Sequence, residues 1–477
     1  MRNKTFGRSL LSVAFSRGIA LLSSVAVGFL LPKMLSVSDY GFYKTFTLYA
    51  VYMALLHFGF VDGILLKLAG KDYNELDARV MRAYTRFFIL FETAIFCILI
   101  AFGLIFAKGE YLFIVIMLAV NMLLVNLTTY YQFISQAVER FAEYSAKSVI
   151  ASLIKLAFVV LLFVFYAFEI CDVSYRWYLI GLNVIDLLMA LWYVLIYRKI
   201  TFGEGSAIRS ILCDIRGIFA TGIVLTAAYQ VTHLVLALDR QFVNIFFSTE
   251  DFAVYSFAYN VVAMISTMIS SLSVVLLPML KKRSRDEVLL SYKKCLSAVS
   301  VISAFALICY FPLSAFIEWF LPEYVGSIEY IGIVLPAFAF TAVITIVMFT
   351  VAKVLDMSRD FFIASLIVLL LGVAANTAAY LIFGTPAAIS YASLAVMAVW
   401  FIIAGARLKR ATEIGAIKEL CYLALVAAGF ILLCKIFENG MFVFALYLAY
   451  LTAVTVLLYF KKIKKLMRAY FSSHKSK

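Results

Sequence analysis

Hydrophobic residues make up 65% of this 477-residue chain, charged residues only 14%, and the mean hydropathy is +1.02. Soluble domains carry about a quarter charged residues, so the composition excludes a soluble globular protein and points to an integral membrane protein. The net charge of +14 is then a matter of membrane topology and of contact with anionic lipid, not a sign of nucleic acid.

A helix needs roughly 20 apolar residues to cross the hydrocarbon. Fourteen such segments follow one another at about 10–31, 44–66, 84–106, 111–135, 146–168, 176–197, 217–240, 252–280, 294–317, 328–352, 361–383, 387–406, 418–437 and 441–460. The first is longer than a signal-peptide core and ends in FLLPKML, not in a small-residue cleavage site, so it is expected as a span. The charges test this count independently, because Lys and Arg collect in inside loops. With Arg2, Lys4 and Arg8 inside, 33 of the 41 Lys and Arg fall in inside loops or tails, and only Lys33, Lys44, Lys108, Arg176, Arg240 and Lys435 fall outside. The alternation predicts both termini on the cytoplasmic side.

The stretch LSVSDYGFY (35–43) follows the first segment, and FSTEDFAVY (247–255) follows the seventh, at a constant offset of 212 residues. Ser36 and Ser248 are placed to cap the next helix, with Asp39 and Asp251 three residues on. Capping does not explain the aligned Tyr40/Phe252, Gly41/Ala253 and Tyr43/Tyr255. The spacing predicts an all-α protein with two pseudo-symmetric six-helix bundles, residues 1–200 and 201–410, followed by two extra helices and a basic tail, 411–477. Seven singly scattered cysteines show no C-x-x-C and no metal spacing, and are expected as small buried fillers.

LLPKMLSVSDYGFYKTFTLY, HFGFVDGILLKLAG and, in the second half, ALDRQFVNIFFSTEDFAVYSFAYNV resemble the polysaccharide-biosynthesis exporters, the oligosaccharide flippases of O-antigen and capsule pathways. The wider superfamily includes multidrug extruders and peptidoglycan lipid flippases. The resemblance implies movement of an undecaprenyl-diphosphate-linked oligosaccharide to the outer leaflet of the bacterial inner membrane by alternating access, the sugar and diphosphate passing through a hydrated cavity. It also implies membrane lipids, a polysaccharide polymerase and chain-length machinery as partners, no nucleic acid and no cofactor beyond a coupling proton or Na⁺.

A diphosphate crossing a low-dielectric region calls for cations. Arg17 and Lys155 lie inside the first and fifth segments, on the order of 10 to 14 Å from the inner end at about 1.5 Å per residue. They are the candidate substrate-binding residues, against snorkelling of the charge to the inner interface. Asp186, at the middle of the sixth segment, is too deep for either interface. It is a coupling-ion site or the salt-bridge partner of Arg17 or Lys155. Glu92 and Asp62 are shallower candidates for the same roles, with interfacial solvation as the plainer alternative. His57 and His233 are expected as hydrogen-bonded packing residues, with a proton relay as the alternative, and Asn121, Asn126, Asn183, Gln230, Asn260 and Asn376 as a sugar path or helix bridges. Asp239 and Arg240, in the LDR of the second half, are expected as a local pair or an outer-gate contact. Aromatic residues are expected in interfacial belts and on lipid-facing surfaces.

Two rival classes share the hydropathy. A multidrug or cation antiporter would need no diphosphate site. A polysaccharide-modifying membrane enzyme would need a long outside loop or a clustered nucleophile motif, and neither is visible in the sequence.

Overall fold

The computed structural model describes residues 2–281, 283–437 and 440–474, with side chains at 18–227, 230–267, 269, 280, 283–437 and 440–460. These residues are almost entirely helical, and no strand occurs among them. The fourteen expected segments fall on helix, the second of them interrupted at Phe58–Gly59. Among the described residues, eleven helices are long and apolar enough to cross a membrane, or twelve with a bent pair counted as one span. Gly18–Met34 adds a shorter apolar helix.

The chain separates into two compact units, residues 1–233 with 248–253 and residues 234–247 with 254–477. The first unit contains α1 (Arg2–Met34), α2 (Val37–Met53), α3 (Phe60–Leu68), α4 (Ala78–Phe106), α5 (Gly109–Ala137), α6 (Phe141–Ala167), α7 (Tyr175–Ile196), the short α8 (Arg198–Thr201) and most of α9 (Leu212–Phe246). The second contains the end of α9, all but the start of α10 (Thr249–Lys281), α11 (Arg285–Ala306), α12 (Tyr310–Phe320), α13 (Ser327–Ala342), α14 (Phe349–Val354), α15 (Ser358–Phe383), α16 (Pro386–Thr412), α17 (Ile417–Ile436) and α18 (Gly440–His474). The first unit thus runs past residue 200 into α9, and the last two helices group with the second unit.

Both of the repeated stretches cap a helix in the same way. Ser36 Oγ accepts the Asp39 amide and Ser248 Oγ accepts the Asp251 amide, each at 3.1 Å. The acids then diverge. Asp251 accepts the Ser248 hydroxyl at 2.7 Å, while Asp39 reaches across to the Tyr175 amide at the start of α7, 3.1 Å away. Residues 248–253 of the second copy belong to the first unit, where Gly41 of the first copy lies against Thr249. A Cβ at residue 41 would meet the Thr249 backbone carbonyl and its methyl group.

The second expected span is not straight. α2 ends in a 3₁₀ turn, Ala54–His57, and the chain then bends by 56° into α3 through left-handed Phe58 and Gly59. The bend brings backbone to backbone: Gly59 and Gly63 lie on Ile218 and Gly222 of α9 so closely that a Cβ at any of the three glycines would collide with main chain. Small residues at helix contacts permit this approach in membranes, where dispersion and hydrogen bonds do the work of the hydrophobic effect.

Tyrosine builds much of the interior. Apart from Trp400, the largest fully buried side chains are all tyrosines. In the first unit Phe60 stacks on Phe88, Phe88 on Tyr130, and Tyr131 on Tyr197. Their hydroxyls are satisfied between helices, Tyr130 with Thr85 at 3.0 Å, Tyr131 with Thr201 at 2.9 Å, and Tyr197 with Ser135 and Glu143 at 2.8 Å each. The expectation of aromatic belts therefore misses a core use: Tyr supplies area and a hydroxyl that links helices. The cysteines also depart from expectation, since none is buried; five are exposed and Cys295 and Cys434 intermediate. Where lipid is the solvent, a small apolar side chain loses nothing by facing it.

In the second unit the helix Ser327–Val354 is the interior element, with 78% of its most apolar stretch buried against at most 39% in the other apolar helices. It carries Pro336 and passes through a π-helical segment, Val343–Met348, before α14. Such segments often mark functional positions inside helices.

Candidate functional site

In the first unit three polar groupings stand inside the helix bundle. Asn183 and Asp186, three residues apart, share one face of α7. Asn121 of α5 donates its amide to Asp186 Oδ2 at 3.0 Å and to Asn183 Oδ1 at 3.3 Å, and Asn183 donates to the Met117 carbonyl at 3.2 Å. Lys155 of α6 completes the group, its Nζ 3.7 Å from Asp186 Oδ1. That separation is an ion pair without a short hydrogen bond, so the ammonium keeps donors for a second anion. Lys155 is 37% exposed and Asp186 17%. The side chain of Arg17, the other candidate cation, lies outside the described residues.

Glu92 of α4 is 1% exposed, and its Oε2 accepts the Asn126 amide of α5 at 3.0 Å. Its Oε1 has no partner among the described residues. Asp62 of α3 is 8% exposed; it accepts the Thr226 hydroxyl of α9 at 2.5 Å and stands 3.9 Å from His57 Nε2. His57 Nδ1 accepts the Gly59 amide at 3.1 Å, so the neutral ring carries its proton on Nε2, toward Asp62. Interfacial solvation, the plainer expectation for Glu92 and Asp62, does not describe either residue, because each is enclosed by its neighbours. His57 is buried and hydrogen-bonded, as a packing residue is expected to be, and it sits between the bend of the second span and the Asp62 carboxylate.

In the second unit Asp239 and Arg240 are adjacent in sequence but turn apart. Asp239 is 2% exposed, its carboxylate accepting the Arg240 amide at 2.7 Å and the Tyr255 hydroxyl of α10 at 3.1 Å. Ser390 of α16 donates in turn to the Tyr255 oxygen at 3.2 Å. The Arg240 guanidinium lies over the Tyr259 ring, 5.0 Å from its centre, beside a cavity of about 200 Å³ lined also by Ser266, Thr341, Thr345 and Ser393. Its Nε has no hydrogen-bond partner among the described residues. Thr345 belongs to the π-helical segment, so the irregular backbone of the interior helix faces this cavity. By position along its helix Asp239 reads as an outer-end residue, but the fold makes it an internal charged group. It is enclosed where α9 meets α10 and α16. The repeat offered a signal for it, since Tyr255, its partner, is the conspicuous aligned tyrosine of the second copy.

No family model matches the chain, and no curated protein matches it in sequence. Solved structures do. The lipid II flippase MurJ in an inward closed conformation aligns with a TM-score of 0.71 at 13% identity, over 96% of this chain and 99% of that one. An inward-facing multidrug resistance MATE family transporter follows at 0.59, with 14% identity and coverage of 85% and 99%. A MOP superfamily transporter from Pyrococcus furiosus aligns at 0.51, with 13% identity over 85% and 96%. The chain shares its fold with these three proteins. At these identities the likeness speaks for the fold alone, and the names of these three proteins describe transport and lipid flipping, not catalysis.

Proposed function

We propose that this chain is a MOP-type flippase that carries an undecaprenyl-diphosphate-linked oligosaccharide from the inner to the outer leaflet of the bacterial cytoplasmic membrane, by alternating access, for surface polysaccharide assembly. The observation that carries this reading is the likeness to a lipid II flippase over nearly the full length of both chains. The repeated motifs that resemble oligosaccharide flippases support the glycan part of it.

The polar groupings give the proposal a mechanism. Lys155 and Arg17 receive the diphosphate on the loading side, and Arg240 offers a further guanidinium beside Tyr259, whose ring suits a sugar face. When the diphosphate draws Lys155 away, Asp186 loses its counter-charge while keeping the Asn121 hydrogen bond. A proton or Na⁺ then becomes the partner that neutralises it. Anion loading and ion uptake are thereby linked through one ion pair, and the linkage is reciprocal.

The test is flipping in proteoliposomes. A fluorescent polyprenyl-diphosphate oligosaccharide should become accessible to an impermeant quencher from both leaflets only in vesicles that contain the protein. A second reading, multidrug or cation antiport, has the likeness to the MATE transporter behind it. Gradient-driven dye efflux without any lipid flipping would favour antiport and overturn the flippase proposal.

A further inference from the structure

A second cavity, about 330 Å³, opens at the end of the second unit where α11 begins and α14 and α16 finish. Its walls are two arginines, Arg283 and Arg285, and five non-polar residues, Val288, Val354, Leu355, Met357 and Ala411. Arg283 donates to the Ser291 hydroxyl at 2.6 Å and Arg285 to the Ala411 carbonyl at 3.3 Å, contacts that orient each guanidinium. Neither forms an ion pair with a carboxylate among the described residues. Of the nearby acids, Asp286 is exposed in the first turn of α11, Glu287 is occupied as the capping-box partner of Ser284, and Asp360 is 3.7 Å from Arg407.

Two guanidiniums without carboxylate partners at one mouth of a cleft form an anion receptor, with the fork geometry that suits phosphate oxygens. The rest of the lining is apolar, which a free, fully hydrated phosphate does not use. The position supplies the remaining constraint: Lys353, Lys409 and Arg410 stand in the last turns of α14 and α16, so by the topology read from the charges the cleft lies where spans leave the hydrocarbon on the basic side. We propose that this cavity binds the phosphodiester headgroup of an anionic phospholipid, with Arg283 and Arg285 on the phosphate and Val288, Val354, Leu355 and Met357 against the glycerol and first acyl methylenes. The site is separate from every group assigned above to transport, and it stands or falls independently of the transported substrate.

The test is native mass spectrometry of the purified full-length protein titrated with phosphatidylglycerol, with phosphatidylcholine as the zwitterionic control. The unaltered protein should retain phosphatidylglycerol in preference to phosphatidylcholine, and 10 mM-range inorganic phosphate should not displace it. Arg283→Gln with Arg285→Gln should weaken the tightest phosphatidylglycerol event roughly 10- to 30-fold, as expected for two lost arginine–phosphate attractions. Lys409→Gln with Arg410→Gln removes the same charge outside the cavity lining and should leave that event in place. Val288→Trp keeps both arginines, fills the cleft, and should also abolish it. Equal losses in the two charge variants, or retention in Val288→Trp, would overturn the site. Displacement by inorganic phosphate would overturn the lipid as its occupant.

Discussion

The ion pair between Lys155 and Asp186 permits a double-mutant cycle that separates its two roles. At 3.7 Å the Coulomb attraction is about 4.5 kcal/mol at an effective dielectric of about 20, and about 1 kcal/mol in water. Lys155 is more than a third exposed and Asp186 about a sixth, so solvent removes much of the larger figure. A net coupling of about 1 to 2 kcal/mol follows, a factor of roughly 5 to 30 in an equilibrium or rate. Asp186→Asn keeps an oxygen for the Asn121 amide and so removes the charge and little else. Initial flipping rates in proteoliposomes would be measured for Asp186→Asn, Lys155→Gln and the double variant, with and without an imposed proton or Na⁺ gradient. If the pair acts only as a counter-charge, each single change slows flipping and the double variant recovers most of the loss. If Asp186 also carries the coupling ion, downhill exchange between leaflets survives in Asp186→Asn, gradient-driven accumulation disappears, and no change at Lys155 restores it. Additive losses, with a coupling below about 0.5 kcal/mol, would refute the pair as an energetic unit. Unimpaired gradient-driven export by Asp186→Asn would refute both roles.

Other variants reach the remaining features. Ser38→Cys and Thr249→Cys, in a cysteine-free background, should react with an impermeant maleimide from outside intact cells, and Ser284→Cys should not; labelling of the last would invert or break the topology read from the charges. Arg17→Ala should abolish export while the protein still inserts, and Arg17→Lys should restore only part of it, because the guanidinium fork is lost. Gly222→Ala places a methyl on the Gly59 carbonyl and should destabilise the purified protein by about 1 to 3 kcal/mol, seen as a lower thermal midpoint; an unchanged midpoint would mean that the bent span can shift away from α9. Arg240→Gln should weaken binding of the lipid-linked diphosphate roughly tenfold through one lost charge-assisted contact, measured by fluorescence titration in detergent, and equal affinity would remove Arg240 from the substrate path.

The class and most of the helices are legible in the chain alone. Each crossing needs its own apolar run, so the runs at 84–106 and 361–383 could be read from hydropathy and appear as α4 and α15. Local chemistry was equally legible at Ser36 and Ser248, because a cap bonds to amides three residues away in the chain. The break at Phe58–Gly59 was not, since its left-handed residues are held by Gly222, more than 160 residues later. The directions of the charged side chains were decided by tertiary structure alone. In water an amphipathic stripe reveals which face of a helix is buried, but lipid is as apolar as a protein core, and a helix surrounded by both carries no such stripe. Asp239 and Arg240 illustrate the result. They are neighbours in the chain, and only the packing of α9 against α10 and α16 sends one to Tyr255 and the other to the cavity beside Tyr259. For the same reason Glu92 and Asp62, shallow by position along their helices, are enclosed by Asn126 and Thr226, partners that only the folded bundle brings to them.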